Sequence, residues 1–133
     1  MKQLFEIWSA KPSWKSLTAE QQQQFIDAAL GKVGPLIDAG LNLVASGFVE
    51  TDLPNSLPFQ YYAFWEAEDA TLITTFAEVL RDSDWFVYFD QINIGGTTEP
   101  LPGVLAKHIN GRSSRRFPGR SVAENQRTEN ATG

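Results

Sequence analysis

"SDWFVYFDQINIGG" (residues 83–96) decides how this chain is read. Four aromatics, Trp85, Phe86, Tyr88 and Phe89, precede Asp90, Gln91 and Asn93, and the run closes on Gly95-Gly96. Aromatic and β-branched enrichment bounded by turn residues is the composition of a strand. Alternation puts Trp85, Val87, Phe89, Gln91 and Asn93 on one face. Phe86, Tyr88, Asp90, Ile92 and Ile94 take the other. Both faces are then apolar or aromatic over much of their length, and the polar residues are either a strand end or the wall of a site.

The rest of the chain supplies the partners of this strand. "LFEIWSA" (4–10) has strand composition, and "KPSWKSL" after it reads as a loop or short turn. Thr18 followed by Gln21 is a capping box that opens a helix. Phe25, Ile26, Ala29, Leu30, Val33, Leu36 and Ile37 continue that helix at 3.6-residue spacing. Pro35 should kink it or restart its last turn, and Gly40 should end it. "LNLVASGFVET" (41–51) and "FQYYAFWEAE" (59–68) read as two further strands separated by a proline-containing loop. Asp69 is a good N-cap for a second helix, whose apolar face carries Leu72, Ile73, Phe76, Val79 and Leu80. The order β-α-β-β-α-β predicts an α+β, ferredoxin-like fold: a four-stranded antiparallel sheet with two helices on one face.

The chain has 133 residues, 42% of them hydrophobic, enough for one packed domain. It has no cysteine, which excludes disulfides, thiolate metal sites and cysteine nucleophiles. No run approaches the roughly 20 apolar residues of a membrane span, and no signal peptide is evident, so a soluble, cytoplasmic protein with no membrane partner is expected. Residues 1–98 form the expected domain, and 99–133 read as a basic, Gly/Pro/Ser/Arg-rich tail, largely irregular or disordered. Residues 99–133 carry six basic and three acidic side chains, a net of +3, so the chain's −5 leaves −8 on the domain. An acidic domain disfavours nucleic acid as its partner.

Two helices cover one face of a four-stranded sheet. The other face, equally aromatic here, would form a large exposed apolar patch unless it met a partner. Sheet-to-sheet pairing in a homodimer satisfies it. At this point "FEIWSAKPSWKSL", "YYAFWEAED" and "DWFVYFDQINI", spread over residues 4–96, carry a resemblance. The chain resembles the dimeric α+β barrel superfamily, and within it a small bacterial group of unknown function. The resemblance implies a small-molecule pocket between sheet and helices and a function among cofactor-independent monooxygenases, cyclases and isomerases of aromatic or polyketide-like metabolites, or no catalysis at all. The superfamily also contains haem enzymes. This sequence departs from them, because the domain has no histidine for an axial ligand.

The residue inventory narrows the chemistry. His108, the sole histidine, lies in the tail, so no triad can be assembled in the domain, and no metal or cofactor is expected. Gly95-Gly96 is followed by no helix and is not a phosphate loop. Carboxylates remain for acid–base work. Glu6 and Asp90 each interrupt an apolar strand, and Tyr61 or Tyr62 could serve as a donor. The blander account of both carboxylates is a salt bridge or hydrogen bond at the dimer seam. Trp8, Tyr61 and Trp65 are candidates for the wall of an aromatic ligand site, with Gln91 and Asn93 as its polar contacts. Alternation alone leaves open whether that set faces the helices or the Tyr62, Tyr88 and Asp90 set does. Trp14 reads as packing over the helix entrance, with a gating loop as the sharper alternative. Outside catalysis, the chain reads as a dimeric interaction protein whose basic tail recruits a partner.

Overall fold

The computed structural model describes residues 1–109. Strand β1 (Lys2–Ala10) leads through a short turn of helix α1 (Pro12–Lys15) into the long helix α2 (Ala19–Asp38). Strands β2 (Asn42–Phe48) and β3 (Tyr61–Ala67) follow, then helix α3 (Ala70–Asp82), a second short turn α4 (Trp85–Tyr88) and strand β4 (Phe89–Thr97). The sheet is four-stranded and antiparallel in the order β2-β3-β1-β4, so both central strands are contributed by chain segments far apart in sequence. This is the ferredoxin-like arrangement expected from the element order.

Local chemistry accounts for both long helices. The Thr18 hydroxyl accepts from the Gln21 backbone N–H at 3.1 Å, and the Gln21 side chain accepts from the Thr18 N–H at 2.9 Å. Asp69 accepts from the Thr71 N–H at 2.9 Å and caps α3. Pro35 does not interrupt α2. It lies in the last turn, where the missing N–H costs a single helical hydrogen bond. The helix ends at Asp38, and Gly40 just beyond it takes a φ of +123° that suits a glycine. Both helices pack on one face of the sheet, where Val33 of α2 and Phe76 and Leu80 of α3 meet Leu4, Ala63 and Trp65.

Residues 85–88 correct the strand reading. They form a helical turn, not the start of β4, which begins at Phe89. Asp84 takes a left-handed backbone (φ 64°) that reverses the chain after α3. The carbonyls of the turn are held by the loop after β1: Lys11 Nζ donates to Phe86 O (2.6 Å), Ser13 Oγ to Val87 O (2.7 Å) and the Lys11 N–H to Tyr88 O (2.8 Å). Residues 12–15, expected as loop, are the matching helical turn α1.

The chain divides between Thr97 and Thr98. Beyond that point, Leu101–Ala106 forms a helical turn α5 inside the stretch expected to be irregular. The arginines of the expected basic tail, from Arg112 onward, lie outside the described residues. Among the described residues no helix is long and apolar enough to cross a membrane.

Candidate functional site

Strand register settles which residues share a face. Glu6 pairs with Ala63 and Asn93, Trp8 with Tyr61 and Gln91, and Leu4 with Trp65. Leu4 and Trp65 belong to the core under the helices. Glu6, Trp8, Tyr61, Trp65, Gln91 and Asn93 therefore all lie on the helix side. Tyr62 and Asp90 lie on the open side, since Tyr62 and Ile92 both pair with Ile7, and Asp90 pairs with Ser9. The sheet thus separates Glu6 from Asp90 and Tyr62 and leaves Tyr61 as the hydroxyl candidate on its own side. Asp90 is the second residue of β4 rather than mid-strand, its side chain is 70% exposed, and it forms an ion pair with Lys11 at 3.9 Å. The Tyr62 ring lies against Gly47, close enough that any side chain there would have to displace it.

Among the described residues Glu6 is the buried charged one, 4% exposed. Its Oε1 accepts from the Trp65 indole Nε1 at 2.7 Å, and its Oε2 accepts from Gln91 Nε2 at 2.9 Å. The same Gln91 nitrogen donates to Asn93 Oδ1 at 2.7 Å, and Gln91 Oε1 accepts from Trp85 Nε1 at 2.8 Å. Glu6 is hydrogen-bonded within the fold, and no ion pair to it occurs among the described residues. Burial pushes its pKa up to about 6, against the opposing pull of the bonds from Trp65 and Gln91. The network runs outward from buried Glu6 through half-buried Gln91 to exposed Asn93, so the carboxylate communicates with solvent at the β4 edge.

Aromatic rings enclose the inner end. Trp8 packs on Tyr61 (centroids 5.9 Å) and edge-on to Trp85 (6.1 Å). Trp65 packs on Phe76 at 4.8 Å. Trp85 also stacks on Phe89 at 4.3 Å and faces Phe25 of α2. Trp14 packs on Phe25, Tyr88 and Phe89 beside the start of α2. Alternation groups Trp85 with Gln91 and Asn93, and the structure brings them together, although a helical turn and not the strand carries Trp85. Phe25 reads from the sequence only as a helix-core position, and nothing local points to its place beside Trp85.

The open face is apolar. Phe5 stacks on Phe64 with ring centroids 4.1 Å apart, and Phe5, Ile92 and Ile94 are 37%, 44% and 53% exposed. A groove of ≈520 Å³ at one margin is lined by Phe5, Ile7 and Tyr62 together with Leu53 and Leu57 of the β2–β3 connection.

The model of a family of unknown function, DUF6616, matches residues 1–111. The chain belongs to that family. The DUF6616 match runs past β4 and through α5, so the family's common segment is longer than the sheet-bearing unit. No curated protein matches this DUF6616 chain by sequence. Its fold is similar to that of a chlorite dismutase variant from Candidatus Nitrospira defluvii (TM-score 0.54, 11% identity, covering 84% of this chain and 49% of that one). A dimeric ferredoxin-like protein of unknown function from Thermobifida fusca is also similar (0.46, 14%, 73% and 90%). So is a DABB-family protein with a ferredoxin-like fold from Mesorhizobium loti (0.46, 10%, 74% and 96%). The chain spans about half or less of two chlorite dismutase-like chains that it resembles, 49% and 44%. At these identities the likeness is one of fold: the DUF6616 chain has a ferredoxin-like α+β fold. The Met1–Thr97 unit contains no imidazole to take the axial position of a haem; the chain's one histidine, His108, belongs to the Thr98–Gly133 unit.

Proposed function

We propose that this DUF6616 protein is a homodimer, closed through its open sheet face, that binds a small aromatic or polyketide-like molecule on the helix side of the sheet with Glu6 as proton acceptor. One observation carries the reading: a buried carboxylate, held among the described residues by two neutral donors and no cation, with a pKa lifted to about 6. Such a group is ionised at neutral pH yet basic enough to take a proton, the property a general base requires. Trp8 and Tyr61, both half-buried on the same face of the sheet, supply flat apolar surface, and Tyr61 supplies a hydroxyl. Removal of an acidic C–H or phenolic proton is the step that cofactor-independent oxygenation, cyclisation and isomerisation of such molecules have in common. Asp90 and Tyr62 lie across the sheet, so the acid–base pair in this reading is Glu6 with Tyr61. The apolar open face, with Phe5, Ile92 and Ile94 exposed, supports the dimer.

Native mass spectrometry on the full-length chain tests both halves. The expected spectrum is a dimer carrying a reproducible small adduct that the Glu6→Gln variant, still folded by circular dichroism, retains weakly or not at all. A bare monomer in both proteins sinks the reading. A bare dimer in both removes the ligand and leaves the non-catalytic interaction protein.

A further inference from the structure

The hydrogen-bond network around Glu6 has a direction. An indole N–H can only donate, whereas a primary amide presents one accepting and one donating end. Trp85 Nε1 donates to Gln91 Oε1, which leaves the amide nitrogen of Gln91 to donate to both Glu6 Oε2 and Asn93 Oδ1. The reversed amide would set NH₂ against the Trp85 N–H, and oxygen against the Glu6 carboxylate and Asn93 Oδ1. Every contact of Gln91 would become repulsive. On its other side Glu6 meets a second obligate donor, Trp65. A proton on Oε2 would point at an N–H. The arrangement therefore suits a carboxylate that accepts and opposes one that donates.

We propose that Trp85 is a positioning residue: its indole N–H locks the amide of Gln91 so that nitrogen, never oxygen, faces Glu6, holding that side chain as a proton acceptor. This rests on the reading of Glu6 as a base, but the link from Trp85 to Glu6 is measurable on the free protein. Trp85 is itself placed by α4, whose carbonyls are captured by Lys11 and Ser13, so a turn far from β1 in sequence governs a charge on β1. No charged neighbour is among the causes of the Glu6 shift. Lys2, bonded to Thr97, and Tyr61 are the other titratable side chains on this face of β1, β3 and β4. Tyr88 of α4 packs on Trp14 and Phe25, and every ionisable side chain of α2 and α3 is solvent-exposed.

The test is an NMR titration of the full-length chain, following the Glu6 carboxyl carbon and the indole N–H signals of its four tryptophans. In the unmodified protein, the Trp65 and Trp85 indole signals should share the midpoint of Glu6. Trp85→Phe frees Gln91 and should raise that midpoint by about one unit, roughly a tenfold change in the ionisation constant. Gln91→Leu should raise it by at least as much, and adding Trp85→Phe to Gln91→Leu should raise it no further. Phe25→Leu, which removes a ring beside Trp85 but no N–H, should leave it in place. The proposal is overturned if the Trp85 indole stays flat while Trp65 titrates, a result that needs no variant to fold. It is equally overturned if Trp85→Phe shifts the midpoint as much in the Gln91→Leu background as alone. Intact coupling in a protein that never binds a ligand would sink the proposed function and leave this assignment standing.

Discussion

At the scale of single residues, Glu6 makes stability depend on pH in an unusual direction. Its folded pKa of about 6 lies above the ordinary value of 4.5, so between those values the folded state binds more protons than the unfolded chain. The stability gained from protonation is complete below about pH 4.5 and is lost as pH rises through 6. The shift of about 1.5 units corresponds to about 2 kcal/mol. Urea unfolding of the wild type should show that decline, and Glu6→Gln, which cannot ionise, should lack it. Identical profiles in the two proteins would mean that Glu6 is not desolvated. Part of this site was legible beforehand. A glutamate amid apolar strand neighbours signals an unusual carboxylate, and Gln91 and Asn93 share a face by simple alternation. Its donors were not legible: Trp65 stands 59 residues away from Glu6 in sequence, and Gln91 stands 85 away.

At the scale of elements, the capped helices were readable because capping is local. Thr18 and Gln21 satisfy each other within a single turn, whatever the rest of the chain does. Thr18→Ala should cost about 1 kcal/mol in chemical denaturation and leave the Glu6 titration unchanged. The turn at Trp85–Tyr88 shows the opposite situation. Its residues favour strands, yet Asp84 reverses the chain and the side chains and backbone of residues 11–13 take its carbonyls. Strand propensity lost there to hydrogen bonds made across more than 70 residues of sequence.

At the scale of the whole molecule, the ferredoxin-like fold leaves Phe5, Phe64, Ile92 and Ile94 on a face that the helices do not cover. In the proposed dimer that face is closed by a second copy. Ile94→Glu places a charge on that face, beside Phe5, and should give a folded monomer by sedimentation velocity, with the Glu6 network on the other side intact; an unchanged association state would remove the sheet-to-sheet arrangement. The sequence by itself determined the order of strands and helices, the helix caps and the apolarity of both sheet faces, because periodicity, capping and composition act over a few residues. Only the tertiary structure decided which face holds Glu6, that Asp90 and Tyr62 stand across the sheet from it, and that Trp85 reaches Gln91. A strand's alternation is symmetric between its two faces, and the symmetry is broken only when distant segments pack against one of them.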